Sequence, residues 1–338
     1  MLETTEQDPP AEPAAGRRVR AVSWHPAEGF RRRLPASHID RALAREGTLV
    51  WLDITDPQPG DMRLLRDEFG IHHLALEEVV TPHPRPKCAE YPGAYVMAMY
   101  ATGVCASGEI DLREVVIYAG RRFLVTAHRR ALPEIDECLR RWEANAQGIL
   151  DGIAAPLYSL LDTLVDTCFP VVDVLAERID EAEDRILAMR NGEGAPDIYL
   201  LKKDLLRLRR VVAGERDALN LLLRQDVEVI PPASALYFQS VYDHLVRLVE
   251  SIDTYRDLVS NAMDIHLSVV SNRLNQVMKT LTAISTILMS TGLISGIYGM
   301  NFAYMPELKL RYGYYGALGL MALIALGLAA FFRRIRYI

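Results

Sequence analysis

The sequence predicts an α+β domain, a mixed sheet with flanking helices, followed by a long stalk helix and two C-terminal membrane-crossing helices. Three observations carry this. Residues 18–148 alternate short β-branched and aromatic runs with short helical ones, bounded by Pro and Gly. From Ala233 to Thr291 there is no glycine or proline. Two uncharged, mostly apolar stretches, within Thr280–Pro306 and at Tyr312–Phe332, close the chain.

Met1 to Gly16 is rich in Pro, Ala and Glu without an apolar core, so residues 1–17 read as a disordered tail and not as a signal peptide. In the α/β region, Arg18–Trp24, Thr48–Ile54 and Ala94–Ala101 read as strands, and Val115–Tyr118 and Phe123–Thr126 as a hairpin around Ala119-Gly120-Arg121-Arg122. Asp61–Phe69, Leu74–Val80 and Leu132–Ala146 carry helical spacing. Val80–Lys87, with three prolines, reads as a loop. No glycine-rich phosphate loop or nucleophile elbow is present, so neither nucleotide-driven pumping nor hydrolase chemistry is indicated.

Residues 149–230 read as an acidic antiparallel helical pair: Ile149–Met189, a turn at Asn191-Gly192-Glu193-Gly194, then Asp197–Gln225. The acidic face from Asp162 to Asp184 reads as a solvated surface. Residues 233–301 form a third helix, on the order of 100 Å long at 1.5 Å per residue, whose last part (about 280–301) is the first span. Residues 302–311 are a short loop and 312–332 the second span; each span is long enough to cross a hydrocarbon core of roughly 30 Å. Arg333, Arg334 and Arg336 follow the second span, and Lys279 and Arg273 precede the first. The positive-inside rule then puts both termini in the cytoplasm, the loop outside, and the chain in the cell inner (plasma) membrane.

Net charge is −6, which gives no footing for nucleic acid. Cys88, Cys105, Cys138 and Cys168 are widely spaced and fit a reducing compartment. His72, His73 and His83 lack a zinc-site spacing, and Arg31-Arg32-Arg33 reads as a solvated face.

The most specific signal follows the first span: Tyr298-Gly299-Met300-Asn301-Phe302, then Met305-Pro306-Glu307-Leu308. Gly-Met-Asn in this place, followed by Met-Pro-Glu-Leu, resembles the CorA magnesium transporter family, and the resemblance extends over most of the chain. A two-span subunit is too small to enclose a pore, so several copies around an axis are needed; the resemblance implies a homopentameric funnel embedded in membrane lipid. It implies a selectivity filter at Gly299, Met300 and Asn301, where a ring of neutral amide oxygens would hold hydrated Mg²⁺ without stripping it. Capping of a helix end is the plainer role for Asn301.

Met278, Leu281, Ser285, Met289, Gly292 and Gly296 recur at steps of three or four and match the family's pore face, with Leu281 and Met289 as gating rings. For the two glycines, a helix-packing stripe is the alternative. The family's regulatory Mg²⁺, held between subunits, maps to Glu78 and Asp264, with Asp257 and Asp253 as further candidates. Three positions depart from the family pattern: Ser290 and Gly292 stand where Pro and Thr occur, and Ser240 where an acid occurs.

The function so implied is influx of Mg²⁺, with Co²⁺ and Ni²⁺ as further ions, down the electrochemical gradient, with no enzymatic activity and no organic cofactor. A ZntB-type zinc transporter is the nearest alternative. Intact Met305-Pro306-Glu307-Leu308 and the absence of acids, bases and histidines within the spans speak against it. A membrane-anchored cytoplasmic sensor or scaffold is a third reading, which leaves the Gly299-Met300-Asn301 motif unexplained.

Overall fold

The computed structural model describes residues 18–144, 150–188, 195–224, 229–301, 305–306 and 310–337. The expected tail at 1–17, the turn at 191–194 and the motif residues Phe302, Glu307 and Leu308 lie outside these. The chain divides into two compact units, residues 18–184 with 196–260, and residues 185–195 with 261–338.

The first unit holds a seven-stranded sheet built from β1 (Val19–His25), β2 (Gly29–Arg31), β3 (Leu49–Thr55), β4 (Lys87–Tyr91), β5 (Ala94–Val104), β6 (Ile110–Gly120) and β7 (Phe123–His128). The order is β2-β1-β3-β7-β6-β5-β4. All neighbours are antiparallel except β3 and β7, which pair in parallel from Val50↔Phe123 to Thr55↔His128. The mixed sheet is therefore as expected, and the single parallel pair is its source.

Both faces of the sheet are covered, which explains why Leu49–Thr55 is apolar almost without alternation. On one face Val50, Leu52, Ile54, Val125 and Ala127 pack with α1 (Ile39–Ala44), α2 (Pro59–Phe69) and α3 (His73–Val80) through Ile39, Leu65, Phe69, Ala75 and Val79. On the other, Trp51 meets Trp142 of α4 (Pro133–Ala144) with ring centroids 6.0 Å apart. A polar line lies within this face. Trp51 Nε1 donates to Thr126 Oγ1 (3.1 Å), which donates to Asp53 Oδ1 (2.6 Å), and that same oxygen faces His128 Nε2 at 3.0 Å. Every polar group buried there finds a partner.

Two edge strands, β2 and β4, are absent from the sequence reading. β4 is polar (Lys87-Cys88-Ala89-Glu90-Tyr91), and its signal lies instead in Pro92-Gly93. Gly93 has φ +85°, the left-handed position of a type II turn, and closes β4 onto β5. The hairpin between β6 and β7 is tighter than expected, because Ala119 and Gly120 still belong to β6 and the turn is Arg121-Arg122.

The acidic helical pair is in fact three helices: α5 (Ala154–Asp166), α6 (Cys168–Ala188) and α7 (Ala195–Arg224). The predicted single helix 149–189 breaks at Thr167 because Pro170 has no N–H for the Asp166 carbonyl. Arg178 of α6 faces Asp204 of α7 at 3.6 Å.

The break and α7 together finish the sheet. β4 stops pairing at Lys87↔Ala98, which leaves the N–H groups further along β5 without a strand partner. Thr102 N–H donates instead to Thr167 Oγ1 (2.9 Å), and Tyr100 N–H to Glu215 Oε1 on α7 (2.8 Å). Gly214 lets α7 approach, since a Cβ there would stand 2.7 Å from Pro86 Cδ. Glu215 is fully buried and its Oε2 has no partner among the described residues. Burial pushes its carboxyl up to about 8, against the partial help of the Tyr100 N–H.

α8 (Ala235–Tyr298) is a single helix of 64 residues, about 96 Å long, preceded by a 3-10 turn at Pro232–Ser234. It ends three residues before the expected Asn301. In the second unit, Thr280 Oγ1 donates to Tyr337 O (3.2 Å), tying α8 to the end of α9 (Gly313–Arg334). Leu288, Met289 and Leu293 on α8, and Leu323 and Leu326 on α9, are 65–74% exposed. Such an apolar surface needs lipid or another protein surface to cover it.

The Glu215 carboxyl sets a pH dependence. Its folded-state value is raised, so its contribution is full below about 4.5 and is lost as pH rises through about 8. Glu215→Gln keeps the acceptor for Tyr100 N–H and removes the titration. Its unfolding free energy should match wild type near pH 5 and exceed it near pH 8, by a difference on the order of a few kcal/mol.

Candidate metal-ion sites

The end of α8 is shaped by Gly299. Its N–H is shared between Ser295 O (3.0 Å) and Gly296 O (3.2 Å), and Met300 N–H bonds Ile297 O (3.2 Å). These tighten the last turn and stop the helix. A Cβ at Gly299 would lie 3.3 Å from Ser295 O, so a side chain there would crowd the terminus. Asn301 follows beyond the turn; it is exposed, and among the described residues its side chain bonds no group of the helix end. Among the described residues, then, no capping bond from the Asn301 side chain is present.

Below it, Met278, Leu281, Ser285, Met289, Gly292 and Gly296 are all exposed, while Ala283 is fully buried and Ile287, Ser290 and Ile294 are half-buried. The six expected pore positions are exposed, as are Ile284, Leu288, Leu293 and Ile297 on the rest of the helix surface. A Cβ at Gly292 or Gly296 would meet nothing within 4 Å, so within one subunit these glycines serve no close helix packing. Met305 is half-buried and Pro306 exposed.

The expected regulatory carboxylates differ in their surroundings. Glu78, on α3, is already occupied: Oε2 faces Lys87 Nζ at 2.5 Å and His83 Nε2 at 2.6 Å, and Oε1 accepts from Tyr91 Oη at 2.8 Å. His83 Nδ1 faces Glu114 Oε1 at 2.5 Å, so the ring lies between two carboxylates. Burial alone would raise Glu78; Lys87, His83 and Tyr91 more than reverse it and hold the carboxyl at about 2. The network gives His83 a structural role that its sequence spacing did not reveal. Adjacent Glu77 is exposed.

On α8, Asp253 is held by Arg209 of α7 through two hydrogen bonds (2.6 and 3.0 Å) and by Arg256 at 3.0 Å, and its carboxyl is lowered chiefly by Arg209. Asp257 pairs with Arg256 at 3.2 Å. Asp264 is exposed, and its carboxylate forms no ion pair among the described residues. Asp253 is therefore a structural anchor between α7 and α8, and Asp264 is the stalk acid left open. Glu78 and Asp264 lie in different compact units.

A mixed-sheet domain, an unbroken stalk helix and two C-terminal apolar helices fit a membrane protein of the metal-ion transporter class. A family model described as "CorA-like Mg2+ transporter protein" matches residues 46–334, and the chain belongs to that family of divalent-cation transporters. The chain is 32% identical to the cobalt/magnesium transport protein CorA of Thermotoga maritima, over 86% of this chain and 84% of that one. The complete structure of the CorA magnesium transporter from Methanocaldococcus jannaschii superimposes with a TM-score of 0.79 at 25% identity, covering 94% of this chain and 99% of that one. The cytoplasmic domain of ZntB from Vibrio parahaemolyticus shares the fold over 67% of this chain and 88% of its own, with a TM-score of 0.56 at 16% identity.

The Glu78 cluster should be visible in acid. A carboxyl lowered in the folded state contributes stability above its unfolded value of about 4.5, and that contribution is lost as pH falls toward about 2. Glu78→Gln should lower the unfolding free energy at pH 7 by about 2 kcal/mol, and flatten the loss of stability between pH 5 and 2. Thermal melts across that range check it.

Proposed function

We propose that this protein is a homopentameric channel for Mg²⁺, with Co²⁺ and Ni²⁺ as further permeant ions, carrying influx down the electrochemical gradient. The observation that carries the reading is the exposed amide of Asn301, just past the end of a helix whose six-residue face stands uncovered in the single subunit. Five copies of that face around an axis would form a path ringed by Asn301 at its mouth and narrowed at Met289 and Leu281. Neutral amide oxygens hydrogen-bond the water shell of Mg²⁺, which gives up its water reluctantly. Hydrated ions then pass without tight binding. The driving force is adequate, since a divalent ion gains about 4.6 kcal/mol per 100 mV.

The basic residues Arg333, Arg334 and Arg336 beyond the second span support a cytoplasmic C-terminus, with the stalk and sheet domain on the same side and the 302–311 loop outside. Regulation would use Mg²⁺ between Glu78 of one subunit and Asp264 of the next. Because Glu78 is saturated by Lys87 and His83, the metal would have to replace one cation by another there, which makes the site responsive to concentration and not permanently filled. Zinc transport is the competing reading. Its support is the shared domain fold with ZntB, which at 16% identity speaks to architecture alone.

The test is Mg²⁺ uptake into proteoliposomes under an inside-negative potential. Wild type should load Mg²⁺, and Asn301→Ala should fall to the level of empty vesicles while remaining an intact oligomer. Equal uptake by both would remove Asn301 from the filter. Zinc movement without Mg²⁺ uptake would favour the zinc reading.

A further inference from the structure

The loop that leads out of the Glu78 network and the middle of α7 enclose a cavity of about 520 Å³ in the first unit. Small-molecule sites typically measure roughly 300–1,000 Å³. One wall is Arg85, Pro86 and the start of β4, and the other is the side of α7 that carries Leu206, Arg210 and Leu221. Contacts within the unit fix the two walls. Pro86 lies against Gly214, where a Cβ would stand 2.7 Å from Pro86 Cδ, and Arg209 is clamped to Asp253 of α8 by two hydrogen bonds. The cavity is therefore formed before any ligand enters, and little ordering has to accompany binding.

The charges that line it do not cancel. Arg85, Lys87, Arg209 and Arg210 stand against one carboxylate, Asp217. Lys87 is compensated by Glu78 at 2.5 Å, Arg209 by Asp253 at 2.6 Å, and Asp217 by Arg216 at 2.7 Å. Arg85 and Arg210 remain. Both are exposed, and among the described residues neither forms a hydrogen bond or an ion pair. A guanidinium offers a planar fork of donors that matches phosphate oxygens two at a time, so two free forks on one cavity suit a phosphate. Leu206 and Leu221 are exposed apolar side chains beside them, and with Pro86 they offer a surface that an inorganic ion would leave wet. The complementary ligand carries both a phosphate and a flat, weakly polar body.

We propose that this cavity binds a nucleoside phosphate, with its phosphate on Arg85 and Arg210 and its base against Pro86, Leu206 and Leu221. A lipid phosphate shares the headgroup chemistry, but the cavity belongs to a unit that ends at residue 260, before α8 becomes uncharged and apolar. The nucleotide is bound and not hydrolysed, in keeping with the absence of a glycine-rich phosphate loop. Once bound, it ties the loop after Glu78 to α7, and so to the helix whose Arg209 holds the stalk. Binding there is independent of conduction.

Equilibrium dialysis of full-length protein in lipid-free detergent and magnesium-free buffer, with radiolabelled ADP, tests this, and the melting temperature is a second readout. One saturable ADP per subunit should appear, with a rise in melting temperature. Inorganic phosphate should displace the label only at concentrations at least about tenfold higher than unlabelled ADP, because it leaves the apolar wall unused. Arg85→Gln and Arg210→Gln lie at exposed positions, so each should melt as wild type without ADP. Each should weaken ADP binding by about ten- to a hundredfold. Arg33→Gln, at an exposed arginine that does not line the cavity, should bind as wild type. No saturable ADP binding, or binding that both cavity variants retain, would overturn the proposal. Displacement by phosphatidic acid micelles at lower concentration than by unlabelled ADP would overturn the nucleoside assignment in favour of a lipid phosphate.

Discussion

Backbone hydrogen bonding leaves a chain in hydrocarbon few options, and α8 must satisfy them while also folding in water. Helical backbone needs no external partner, so one uninterrupted helix of 64 residues can begin beside a soluble sheet domain and end as a membrane span. The absence of Gly and Pro over Ala233–Thr291 makes this possible, and glycines enter only where the helix has become apolar. The side chains that change along its length define its parts. Arg209 grips Asp253 in the upper part, Asp264 is left open, and then exposed Leu and Met side chains require a covering surface. The proposed conduction path would meet that requirement for the face ending at Asn301, with other subunits as its cover.

The same economy governs the sheet domain. Its free edge at Tyr100 and Thr102 is finished by side chains from Glu215 and Thr167, not by another strand. A carboxyl placed there is fully buried, so its neutral form is favoured up to about 8. Glu78 shows the reverse. It is surrounded by Lys87, His83 and Tyr91, and remains ionised down to about 2. Both acids belong to the architecture, and any metal that Glu78 is to bind competes with groups already in place.

Much of this was legible in the sequence, for identifiable reasons. The spans and the stalk follow from charge and the absence of helix breakers, and β3 and β5 from long apolar runs such as Leu49–Thr55. The motif Gly299-Met300-Asn301 was legible because its position past a helix end is fixed by the span before it. What escaped depends on tertiary partners. β4 is polar because it is an edge, and the break at Thr167 needed the weight of Pro170 against strong helical periodicity. Asp253, Asp257 and Asp264 are equivalent by spacing, and Arg209 and Arg256 separate them. The cavity of Arg85 and Arg210 joins residues about 125 positions apart, beyond the reach of any local pattern.

The central claim, that the open face of α8 lines an axis shared by identical subunits, is most directly tested by oxidative cross-linking in membranes. Met289→Cys, in a background with Cys88, Cys105, Cys138 and Cys168 replaced by alanine, should form disulfide-linked subunits on mild oxidation, whereas Leu323→Cys on α9 should not. A Met289→Cys protein that stays monomeric on denaturing gels, and whose thiol reacts with lipid-phase reagents as readily as that of Leu323→Cys, would contradict the account.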